Sequence, residues 1–181
     1  MRRQLGKELK RQFKEQLRVK LPQFGEVKID PNRWGWKVFE WAIAPGMKAY
    51  VCLFPSQKDD AFTVDIAWSR QGRFPRHLDY LFPHDIPRAR IFASEPVDGE
   101  YLTRLPYLYS DRDQWWEVIP RLSVEEILEQ QRRQIESGQV EEAPIEAGLE
   151  RIEPLVTDAV NRIVEYGVPW LVEQCGQSRT V

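Results

Sequence analysis

The sequence is poor in the residues that most often carry chemistry. Two His, two Cys and two Met occur in 181 residues. Cys52 and Cys175 lie far apart in the chain, which argues against the disulfide framework of a small secreted domain and for a reducing compartment. No Gly-x-x-x-x-Gly-Lys or Gly-x-Gly-x-x-Gly run is present, so no phosphate-cradling loop of those kinds is encoded. No Gly-x-Ser-x-Gly elbow presents a serine nucleophile. No apolar run reaches the roughly 18 residues that a membrane-crossing helix requires. The start, MRRQLGKELKRQFKEQL, has the positive charge of a secretory leader but no apolar segment behind it. Together these absences predict a cytoplasmic protein, bacterial in style, with no membrane span and no cofactor.

What is present is enough to build a core. Apolar residues make up 42% of the chain, and seven Trp supply large anchors for it. Charge is unevenly spread. Residues 1–20 hold eight Lys or Arg against two Glu, whereas residues 122–181 hold five basic against twelve acidic groups. The net charge of -2 therefore hides a basic beginning and an acidic end.

Periodicity divides the chain into three parts of one domain, 1–181. Leu5, Leu9, Phe13 and Leu17 recur every fourth residue, which predicts an amphipathic helix over 3–20, limited by Pro22. A sheet region follows over 26–119. It opens with a short strand near Val27 to Ile29. The runs WKVFEWAIA (36–44), KAYVCLF (48–54) and FTVDIAWS (62–69) then read as strands, with a turn at Pro45 and Gly46 and a polar turn at SQKDD. Short connections favour an antiparallel meander. Phe62, Val64, Ile66 and Trp68 should face the helices, and the Asp65 face should be wetter. ARIFAS, 89–94, is a candidate fourth strand. Trp115 and Trp116 are neighbours, so on a strand one is buried and the other less so.

A C-terminal helical region spans 123–175. Ser123 and Glu126 form a capping box. Ile127, Leu128 and Ile135 are the apolar residues of that helix, and Gly138 ends it. A last helix is expected to start near Pro154, carry Leu155, Val156, Ala159, Val160, Ile163 and Val164, and close at Gly167. The predicted fold class is α+β: an antiparallel meander of about four to five strands packed on N-terminal and C-terminal helices, in two layers.

Chemical candidates concentrate in the middle of the chain. Asp65, Ser69, Arg70, Arg73 and Arg76 lie near Trp68, Phe74 and Tyr80, and guanidinium groups both clamp carboxylates and stack on rings. Trp68, Trp115 and Trp116 are candidate binding aromatics. His77, Asp79, His84 and Asp85 crowd one Pro-rich loop and contain donor types that suit zinc or manganese. Their spacing places no two of them on one helix face, so no metal is expected. Glu26-Val27-Lys28 matches the acid-x-lysine triplet of metal-dependent nucleases, but the partner acid that should precede it on a strand is missing. Cys52 sits among apolar neighbours and reads as an inert thiol. For Asp65 the plainer expectation is a cross-strand pair with an Arg.

These readings leave three functions. The leading one is a non-catalytic binding or accessory protein, inhibitor- or immunity-like, with a protein partner. The alternatives are a hydrolase-type enzyme with its site at the polar sheet face and the 70–88 loop, and a polyanion-binding protein acting through the basic first helix. Nucleic acid is disfavoured by the net charge and a sequence pI of 5.8. The basic helix is expected to lie beside the acidic C-terminal helices and be screened by them.

Overall fold

A computed structural model describes residues 1–28, 36–75, 99–120, 123–137 and 144–176. The chain begins with helix α1, Arg3–Lys20. Among the described residues six strands follow: β1 Gly25–Val27, β2 Lys37–Ala44, β3 Met47–Pro55, β4 Ala61–Ser69, β5 Glu100–Arg104 and the two-residue β6 Trp116–Glu117. Helix α2, Val124–Ser137, precedes helix α3, Ile145–Arg162. A π turn over Ile163–Gly167 joins α3 directly to helix α4, Val168–Gly176.

The sheet is antiparallel, in the order β1-β2-β3-β4-β5, and β6 pairs with the far end of β4. From β1 to β5 consecutive strands are neighbours, so the expected antiparallel meander is present, and the fold is α+β. Gly46 follows Pro45 in the β2–β3 turn with φ of 73°, a left-handed conformation that its missing Cβ permits. KAYVCLF, which is apolar on both sides, becomes the central strand β3. The candidate strand at 89–94 lies outside the described residues, as does Gly138.

The main core forms where α1, α3 and α4 cover one sheet face. Leu5, Leu9, Phe13 and Leu17 are fully buried there, with Val64, Ile66, Ile152, Val156, Val160 and Ile163. Trp116 stacks on Phe62 at 5.5 Å and donates its indole N–H to Asp158 Oδ2 on α3 at 2.8 Å. Trp115 is only half-buried, so the expected asymmetry of the adjacent pair holds.

Three expectations are corrected. The last helix does not start near Pro154, which lies inside α3. Its ring forgoes the bond to the Glu150 carbonyl, a local cost of about 3 kcal/mol, but the stripe Gly148, Ile152 and Val156 is buried, and tertiary packing outweighs the cost. Nor does Gly167 end the helix. A Cβ there would sit 3.3 Å from Ile66 Cδ1 and 3.5 Å from Leu105 Cδ1, so glycine serves close approach to the sheet instead of termination. Finally, the Asp65 face is not wet. All nine residues of β4 are buried. A second, smaller apolar cluster of Val38, Tyr50, Cys52, Ala67 and Leu102 lies on that face, with Trp36, Phe74 and Tyr107 packed against it.

Candidate functional site

The second sheet face gathers the candidate residues, because β-strand alternation puts Thr63, Asp65, Ala67 and Ser69 on one side. Antiparallel register then aligns whole rows across the sheet. Val38, Cys52, Asp65 and Arg104 form one row, and Lys48, Ser69 and Glu100 part of another. The two polar rows are four residues apart along β4, about 13 Å at the usual strand rise. Between them Tyr50, Ala67 and Leu102 keep the sheet apolar.

At the first polar row Asp65 is 2% exposed, and its Oδ1 lies 3.4 Å from Arg104 Nε. That contact is an ion pair without the alignment of a hydrogen bond. The better-formed bond of Arg104 goes to Asp113 Oδ2 at 2.7 Å. Its guanidinium also lies 5.1 Å over the Trp115 ring, whose indole N–H donates to the same Asp113 oxygen at 3.2 Å. Burial pushes Asp65 up to about 6, partly offset by Arg104 and reinforced by Asp113. Burial, with the nearby Asp65, holds the Cys52 thiol well above its ordinary range. A carboxyl titrating near neutrality has the ionisation of a general base. Here, however, it is enclosed behind a guanidinium and shares its row with an inert thiol.

At the second polar row Glu100 is buried, accepts from Ser69 Oγ at 3.2 Å and is paired with Arg73 Nη1 at 2.7 Å. Arg70 lies 5.2 Å over the Trp68 ring, and Trp68 and Trp116 are both buried core aromatics. Asp65 and Arg73 therefore belong to two separate ion-paired groups and Arg70 lies over Trp68, so the three do not converge on one centre. His77, Asp79, His84 and Asp85 lie outside the described residues, as do Arg76 and Tyr80. Among the described residues no three His, Cys, Asp or Glu side chains are grouped to hold a metal ion. No described helix is long and apolar enough to cross a membrane.

Sequence reasoning missed Glu100, Arg104 and Asp113. The available signal was the alternation of Glu100, Leu102 and Arg104 in EYLTR, which is short and carries charge at both inward ends.

Two surface features complete the geometry. Every described side chain of α2 is exposed, including Ile127 at 41%, Leu128 at 59% and Ile135 at 85%. A groove of about 490 Å³ runs between α1 and the β3–β4 turn, with Arg3, Gly6, Lys7 and Lys10 on one side and Pro55 and Ser56 on the other. The chain matches no protein-family model, and no curated protein or solved structure is significantly similar to it.

Proposed function

We propose that this chain is a non-catalytic cytoplasmic binding or accessory protein, inhibitor- or immunity-like, that engages a protein partner through α2. The observation that carries this reading is the apolar stripe of Ile127, Leu128 and Ile135, left in water on a helix whose start is well built. Ser123 N–H donates to Glu126 Oε2 at 2.7 Å, and Glu126 N–H donates to Ser123 Oγ at 3.2 Å, the reciprocal bonds of a capping box. Glu129–Arg133 and Arg132–Glu136 pair within the helix at 3.2 and 3.3 Å. The helix is thus stabilised locally while its apolar side stays open. Glu125, Glu126 and Glu129 crowd its first half. The complementary partner is an amphipathic helix with an apolar stripe and basic flanks, laid along α2. A cytoplasmic setting is supported by two free thiols.

The test compares wild type with Ile127→Asp/Ile135→Asp as baits in native extract. The reading expects one stoichiometric partner with the wild type, its loss with the variant, and unchanged thermal unfolding. Equal retention by both baits, or no stoichiometric partner for either, defeats it.

A further inference from the structure

We infer that the flank of α1 turned away from α3 is a docking surface for a short acidic segment of a protein. This surface uses residues distinct from α2 and stands independently of it.

Three contacts fix how α1 is oriented. Gly148 of α3 lies under Leu5, Thr157 donates its hydroxyl to Gln16 Oε1 at 3.0 Å, and Lys20 bonds to Asn161. Phe13 meets Phe39 of β2 at 5.8 Å. These positions place α3 on one side of the helix and the sheet beneath it. At 100° per residue, Arg3, Lys7, Lys10 and Lys14 fall within one narrow arc on the remaining side. Glu8 and Glu15 lie on a different arc, where Arg11 bridges them at 2.5 and 2.7 Å.

α1 lies beside α3 as expected, but among the described residues no ion pair joins its cations to the acids of α3. α3 meets α1 through apolar and neutral polar groups. Among the described residues the ion pairs of α1 run to its own acids and to Glu26, and Arg2, just before the helix, pairs with Asp60. Glu26 serves both Lys14 and Lys37, so one carboxylate stands against two ammonium groups. Lys37 is close enough to Lys10 that its charge, after burial, lowers the Lys10 pKa. The neighbouring groove has Arg3, Lys7 and Lys10 among its described lining residues, beside Arg2, which Asp60 already holds at 2.7 Å. A carboxylate-bearing ligand would relieve this repulsion.

The dimensions select a short ligand. Arg3 to Lys14 spans about 16 Å along the helix, the length of about five extended residues. A long nucleic acid would extend past this short stripe onto a chain whose net charge is -2, which does not favour a polyanion. The stripe carries no apolar side chain between its cations to insert into a bilayer.

Fluorescence anisotropy with the full chain and a labelled hexaglutamate peptide tests the assignment. Binding should weaken about tenfold or more between roughly 50 and 200 mM salt. Lys7→Glu/Lys10→Glu should weaken it about tenfold or more, and the milder Lys7→Gln/Lys10→Gln should do so to a smaller degree. Arg112→Glu, an exposed site outside the stripe, should leave affinity within about twofold. Thermal unfolding confirms that each variant folds, and the Gln pair decides if the Glu pair does not. Lack of peptide binding, equal binding by wild type and the stripe variants, or tighter binding of a single-stranded oligonucleotide or of phosphatidylserine vesicles than of the peptide overturns the proposal.

Discussion

Asp65 on β4 and Arg104 on β5 are register partners, and their charges are enclosed within the sheet 3.4 Å apart. The carboxyl titrates at about 6 against an ordinary 3.8, chiefly because burial disfavours its charge. The folded state therefore binds this proton more tightly than the unfolded state. The stabilising contribution is complete below the unfolded value and is lost as pH rises through about 6. Relative to Asp65→Asn, the wild type should gain roughly 1–3 kcal/mol between pH 7 and pH 4. Urea unfolding of both proteins across that range measures it, and parallel stability curves would refute the assignment.

Removing one partner should cost more than removing both. Arg104→Leu leaves Asp65 buried without its counter-charge, and a loss of about 3–5 kcal/mol is expected. Asp65→Val/Arg104→Leu should recover much of it, because the apolar residues beside Cys52 and Val38 can accept the replacements. Additive losses in a double-mutant cycle would show that the two side chains act separately.

The contact of α1 with α3 depends on the absence of a side chain at Gly148. A Cβ there would lie 2.9 Å from Leu5 Cδ2 and 3.3 Å from Ile119 Cγ1. Gly148→Ala should destabilise by about 1–3 kcal/mol in spite of alanine's better helix propensity. Gly167→Ala, whose nearest contact is 3.3 Å, should cost less. Denaturant midpoints in the reverse order would contradict this packing.

The two thiols should differ in reactivity. Cys52 is fully buried with a strongly raised pKa, whereas Cys175 is only partly buried and lies 3.3 Å from Met47 Sδ. A disulfide reagent at pH 8 should label about one thiol in the folded protein and the second only on unfolding. Peptide mapping should place the first label at Cys175. Rapid labelling of Cys52 would mean that the second sheet face opens readily.

Local pattern carried much of the fold. The four-residue recurrence of Leu5 to Leu17 defines α1, and the alternation in FTVDIAWS defines the helix-facing side of β4. Alternation says which side chains share a face, but not what covers that face. Asp65 made its side look wet, yet Trp36, Phe74 and Tyr107 come from distant parts of the chain to close it. Pro154 misled for the same reason: a local cost was visible, while the burial that outweighs it depends on Leu5 and its neighbours on α1. The expected cross-strand partner of Asp65 is an Arg, but its identity as Arg104 required the β4–β5 register.

The outermost strand, β1, has a further consequence. It spans three residues, and its central Glu26 is held by Lys14 and Lys37. So brief and charged a border offers another chain little template for continuing the sheet. On that side the protein is guarded against fibril-like stacking, even when concentrated.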